Sequence, residues 1–202
     1  MIVIIDYGMG NLGSVQNALH HLGYQSICSA DRKTIMQAEK VILPGVGAFG
    51  DAMRSLEKNG LDQTVKEIIK AGIPFLGICL GLQLLFSVSE ENGCHQGLDL
   101  VPGRVVRFDL PAKYKVPHIG WNQININPDS RLLQGIQNHT HFYFVHSYCG
   151  QPQDPGWVVA ECDYGRPFCG ALEKDNAFAT QFHPEKSGYW GLKVLKNFGE
   201  MK

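Results

Sequence analysis

Residues 2–5 read Ile-Val-Ile-Ile, an apolar β-branched run with no polar alternation. Such a strand has no side to give to water, so it must be covered on both faces. Parallel sheets flanked by helices provide that environment. Residues 40–43 and 74–78 are further runs of this kind, and 25–28 is a weaker one. The segments between them carry helical spacing. In residues 11–22 the apolar positions Leu12, Val15, Leu19 and Leu22 recur at three and four, and Gly23 stops the pattern. Residues 48–58 and 61–71 read as helices split by Asn59-Gly60, and 80–88 as a helix after the fourth strand. Pro44 is expected to end the third strand.

The second half changes character. Residues 104–108, 121–126, 141–148, 157–162, 168–173 and 177–182 read as strands punctuated by Pro and Gly, and a helix over 187–198 closes the chain. The expectation is one α/β domain over residues 1–202. Its central sheet is mixed but mostly parallel, flanked by helices, with an antiparallel strand extension. No repeat, low-complexity tract or linker divides it. Charged residues make up only 18% and hydrophobic ones 44%, which suits a compact domain with one face covered by a partner. The 18 basic and 19 acidic residues balance to −1 with no basic cluster, which argues against nucleic acid and an acidic membrane surface. No window is long and apolar enough for a membrane helix. The first residues read as a strand and not as a leader, so a cytoplasmic protein is expected. Six cysteines without a C-x-x-C pair are expected to be reduced thiols.

Gly8-Met9-Gly10-Asn11-Leu12-Gly13 matches the dinucleotide pattern G-x-G-x-x-G, and Asp31 lies where a ribose-binding acid belongs. The match is short, and a tight strand-to-helix turn explains it equally well, so no cofactor is expected.

Gly77-Ile78-Cys79-Leu80-Gly81 explains more. It is a nucleophile elbow, G-x-S-x-G with Cys for Ser, where an apolar strand meets a helix. A Cβ at either glycine would crowd the neighbouring strand or helix. Cys79 then stands at a helix N-terminus, where the dipole favours thiolate, and the Leu80 amide faces the oxyanion that forms on attack. A thiolate needs a base held by a third group. His183-Pro184-Glu185 follows the last apolar strand. Pro184 biases His183 to extended backbone, so Glu185, two residues on, reaches back to the imidazole. A second oxyanion donor is expected from Val46 or Gly47 in Pro44-Gly45-Val46-Gly47, where glycine lets the backbone approach a ligand.

These segments resemble the class I glutamine amidotransferases, the triad type, over the whole chain. The segments D-Y-G-M-G-N-L, P-G-V-G-A-F, P-H-I-G-W-N, F-V-H-S-Y and Q-F-H-P-E-K-S resemble more narrowly the branch that serves histidine biosynthesis. The resemblance implies a Cys79, His183, Glu185 triad. Cys79 attacks the side-chain amide of glutamine, ammonia leaves, and water clears the thioester. It also implies that Gln83 and Glu91 hold the amino-acid end of glutamine, with His146, Ser147 and Tyr148 beside it. The implied partner is a cyclase subunit of (β/α)8-barrel form, contacted through Asn11, Trp121 and Lys186 in a heterodimer, to which ammonia passes directly. Alternatives are a paralogue feeding another synthase, such as surface-sugar amidination, and a catalytically silent scaffold. A vitamin-B6-type glutaminase is disfavoured because P-G-V-G-A stands where P-G-G-E-S is expected. His139, His141 and His146 alternate, but no further ligand is spaced for a metal, and none is expected. Trp121 is either core or an interface anchor, and the anchor is favoured.

Overall fold

The computed structural model describes residues 1–201; Lys202, the last residue of the expected 1–202 domain, lies outside the described residues. The first part runs β1 (Ile2–Ile5), α1 (Leu12–His21), β2 (Ser26–Ser29), α2 (Arg32–Met36), β3 (Lys40–Gly45), α3 (Phe49–Lys58), α4 (Leu61–Lys70), β4 (Phe75–Cys79) and α5 (Leu80–Gln83). The second part is mostly strand: β5 (Phe86–Ser89), β6 (His95–Gln96), β7 (Val101–Arg107), β8 (His118–Ile126), β9 (His141–His146) and β10 (Tyr148–Pro152). It continues with β11 (Val158–Asp163), β12 (Pro167–Lys174) and β13 (Ala177–Thr180) and closes with α6 (Gly188–Glu200).

Nine strands form one sheet in the order β2-β1-β3-β4-β13-β12-β11-β8-β9. The first five run parallel, and the last four join through antiparallel pairs. A second sheet has the order β10-β7-β5-β6, and its Phe86, Val101 and Val105 share a core with Val3 and Ile5 of β1. The two-residue strand period divides β1 between two cores: Ile2 and Ile4 pack with Val15 and Leu19 of α1 and Val194 and Leu195 of α6, while Val3 and Ile5 pack with Phe49 and Leu56 of α3 and Val65 of α4. The apolar run in the sequence is therefore apolar on both faces, as a helix-covered parallel sheet requires. The mixed, mostly parallel α/β sheet with an antiparallel extension is present as expected.

Two local readings need correction, and the Asp31 match has a local explanation. The third strand does not stop at Pro44: β3 continues to Gly45, with Pro44 opposite Ile78 and Gly45 opposite Cys79. The Val41 amide donates across to Pro74 of the β4 side, so the two-residue period turns position 44 toward β1. The β1 pairing has already ended at Ile42, and a residue without N–H loses no ladder bond there. The helix read over 80–88 is a single turn, because Phe86–Ser89 leaves to pair with β7 in the second sheet. Asp31 is a helix cap: its carboxylate accepts from the Thr34 amide at 2.8 Å and the Thr34 hydroxyl at 2.7 Å.

Candidate active site

The elbow is built as its glycines dictate. Cys79 ends β4 at φ 56, ψ −106, a region that costs a residue with a side chain roughly 1–3 kcal/mol. A Cβ on Gly81 would lie 2.0 Å from the Leu43 carbonyl oxygen, and one on Gly77 would lie 2.6 Å from the Gly81 oxygen. Strand, turn and neighbouring strand thus touch backbone to backbone, and the surrounding sheet holds Cys79 in its strained conformation. The expected dipole support is weaker than the sequence suggests, since α5 has only four residues.

β13 runs parallel to β4, so both strands end on the same side of the sheet. The chain leaving β13 carries Gln181 and His183 there. His183 is fixed by its amide, which donates to the Tyr143 oxygen of β9 at 2.9 Å. The Ser187 hydroxyl donates to the His183 oxygen at 2.6 Å and accepts from the Tyr143 amide at 3.0 Å. Its ring nitrogen Nδ1 lies 2.8 Å from Glu185 Oε1, and both side chains are at most 2% exposed. The carboxylate can only accept, so Nδ1 carries the proton and Nε2 is left as the base. Nε2 is buried without a partner at hydrogen-bond distance. Burial pushes the His183 pKa down, but the neighbouring Cys79 and the hydrogen-bonded Glu185 outweigh it and raise it to about 9. The ring therefore keeps a proton readily at neutral pH, as a base must after accepting one from a thiol.

Cys79, His183, Val46, Gly47, Leu80, Gln83, Glu91, His146, Ser147 and Tyr148 all line one cleft of about 320 Å³. The expected triad, oxyanion and substrate residues are thus brought together, with Glu185 behind His183. Val46 is exposed at the rim and Gly47 sits at φ 97. Gly45 belongs to the strand, where a Cβ would meet Tyr7 and Leu80. Gln83 is buried, and its amide nitrogen donates to the Tyr148 oxygen at 3.0 Å and to Gln181 Oε1 at 3.1 Å. Glu91 accepts from the Phe49 amide at 2.7 Å, tying the cleft rim to the start of α3. Asn11, Trp121 and Lys186 lie outside the cleft and are exposed, with Trp121 at 56%. A core role for that Trp is thereby excluded.

Sequence reasoning missed Gln181, whose amide lies 3.8 Å from Cys79 Sγ. The strand period was the available signal, since Gln181 stands two residues before His183 and shares its side. Val145, whose carbonyl lies 3.9 Å from the thiol, and Pro117 complete the lining.

The glutamine amidotransferase class-I family model matches residues 3–201. The chain belongs to that family. This class I amidotransferase is 53% identical over 206 residues to the imidazole glycerol phosphate synthase subunit HisH of Syntrophotalea carbinolica, covering all of both chains. It is 54% identical over 200 residues to the protein of the same name from Moorella thermoacetica, covering 99% of this chain and 94% of the relative. A crystal structure of a glutamine amidotransferase aligns with TM-score 0.75 at 17% identity, covering 98% of this chain and 100% of that one. At that identity the likeness speaks for the fold of this amidotransferase alone. Among the described residues no helix is long and apolar enough to cross a membrane.

Proposed function

We propose that the chain is the glutaminase subunit of an imidazole glycerol phosphate synthase, one cytoplasmic domain that hydrolyses glutamine to glutamate and ammonia for a partner subunit. His183 Nε2 takes the proton of Cys79, and Sγ adds to the side-chain carbonyl of glutamine. Backbone amides at Val46, Gly47 and Leu80 hold the oxyanion. The imidazolium returns its proton to the leaving nitrogen, ammonia departs, and water hydrolyses the glutamyl thioester with His183 again as base. Glu185 keeps the proton on Nδ1 throughout. Gln83, Glu91, His146, Ser147 and Tyr148 form the wall that takes glutamine. Both ring nitrogens of His146 are engaged within the protein, so its part in that wall is position and shape.

The partner is a cyclase of (β/α)8-barrel form in a heterodimer. It spends the ammonia on a phosphoribulosyl-formimino aminoimidazole ribotide and releases imidazole glycerol phosphate and the aminoimidazole carboxamide ribotide. Free ammonia would protonate and diffuse away, which favours direct handover to a partner that contacts the exposed Asn11, Trp121 and Lys186. No cofactor or metal enters the reaction. The observation that carries the reading is the strained Cys79 and the His183–Glu185 pair opening on one cleft. The test is co-purification followed by assay. A barrel cyclase should copurify, and the complex should release glutamate from glutamine. A different synthase in the complex would favour the paralogue, and a complex inert toward glutamine would favour the scaffold.

A further inference from the structure

His118 of β8 and His146 of β9 are 3% and 6% exposed and face each other inside a box of Phe108, Phe144, Tyr164 and Phe168 rings. Their hydrogen bonds run in one direction. The Tyr148 oxygen can only accept, so His146 Nδ1, 2.8 Å away, carries a proton. Burial lowers His146 to about 3 and His118 to about 4, so both rings are neutral and His146 Nε2 is bare. His118 Nδ1, 3.1 Å from that nitrogen, must then be the donor. His118 Nε2 is left to accept from the Asn122 amide at 3.4 Å. The Asn122 orientation is fixed independently: its nitrogen donates to the Asp163 oxygen at 2.8 Å and its oxygen accepts from the Gln123 amide at 2.8 Å.

At the far end the Tyr148 oxygen accepts a second hydrogen bond from Gln83, which also donates to Gln181, and the Gln181 amide lies beside Cys79 Sγ. An unbroken series therefore leads from β8, next to the exposed Trp121, to the wall of the cleft. We propose that His118 and His146 are positioning residues: a neutral pair with both protons on Nδ1, which pins the Tyr148 carbonyl against Gln83 and so sets the glutamine-binding wall from strand β8. Neither ring offers a nitrogen to substrate, and their effect on turnover passes through Tyr148 and Gln83. The inference rests on the cleft being the glutamine site.

Two variants separate the hydrogen bond from simple packing. His118→Phe keeps a ring against Tyr164 and Phe144, 4.0 and 5.1 Å between centroids, but has no donor. His118→Asn loses the ring yet keeps an N–H near the Nδ1 position. In the chain assembled with its cyclase subunit, His118→Phe should raise the glutamine KM ~10-fold, the usual worth of one such hydrogen bond, with kcat changed less, because the loss is of ground-state positioning. His118→Asn should restore KM to within ~3-fold. The reverse order, Phe indistinguishable from the parent and Asn impaired, would overturn the proposal and leave a packing role. Nitrogen-15 NMR of the imidazoles in the full-length parent at pH 7 needs no variant to fold. It should show His118 and His146 both neutral and protonated on Nδ1, the minor tautomer of free histidine. An Nε2–H or charged form at either ring contradicts the proposal. Failure of the parent complex to hydrolyse glutamine would instead sink the functional reading, whatever the tautomers.

Discussion

The parallel and antiparallel parts of the large sheet do different work. In β1, β3, β4 and β13 nearly every residue is buried, and the strands are apolar on both sides. In β8 and β9 burial is partial and alternates along much of each strand, one face open. In the proposed reaction the parallel part makes the chemistry, because parallel strands all end on one side and bring Cys79, Val46 and Gly47 after β3, and His183 to the same rim. The antiparallel part gives the cleft Val145 and His146 of its far wall, which Ser147 and Tyr148 continue into the second sheet, and it presents Ile119 and Trp121 to the outside. Changes in the first part should abolish reaction or fold, whereas changes in the second should alter partnership and substrate binding.

The largest effect is expected at the elbow. Cys79→Ser should lower glutamine hydrolysis by on the order of 10⁴-fold or more, while the complex still forms and synthesis from added ammonium salt survives. Loss of both activities would make Cys79 structural and blur the division between the two parts. Next comes the base. His183→Ala should be nearly inactive in the glutamate-release assay, and Glu185→Ala should retain a measurable fraction, since Glu185 acts through His183. Small, equal losses would put the base elsewhere.

The parallel part was also the more legible one. β1 and α1 were readable to within a residue, because uninterrupted apolar runs and three-and-four spacing have few competing interpretations. The run from Leu80 to Val88 was not, since Leu82, Leu84, Leu85, Phe86 and Val88 suit a helix and a buried strand alike. Only pairing with Val101 and the residues after it, distant in sequence, decides for strand. The placing of Cys79, His183 and Glu185 around one cleft was legible because elbow glycines and a His-x-Glu spacing are local. Glu91 was placed at the cleft only by resemblance, and its anchor at Phe49, 42 residues away, leaves no local trace. His118 went unnoticed for the same reason: its partner is 28 residues away across a strand pair.

Packing at the elbow sets the next effect. Gly81→Ala should destabilise the fold by ~3 kcal/mol, the upper end for overpacking, in denaturant titrations, because its Cβ collides with the Leu43 carbonyl. On the antiparallel side, Trp121→Ala should weaken the complex by ~2 kcal/mol or more with little change in the melting temperature of the isolated chain. Unfolding of the monomer by that change would erase the contrast. The smallest effect concerns pH. The His183 pKa is raised in the folded chain from 6.5 to about 9, so the ring stabilises the fold fully below pH 6.5, and this contribution is lost as pH rises through about 9. Melting temperatures should therefore fall from pH 7 to 10 more steeply in the parent than in His183→Gln.

The central claim is that Cys79, activated by His183, attacks the side-chain amide of glutamine from the parallel rim of the sheet. Peptide mapping by mass spectrometry after treatment with a glutamine-analogue electrophile tests it directly. A single adduct on Cys79 is expected, blocked by excess glutamine and strongly reduced in His183→Ala, with the exposed Cys94 unmodified. Labelling of Cys94 in preference to Cys79, or Cys79 labelling indifferent to both glutamine and His183, would contradict it.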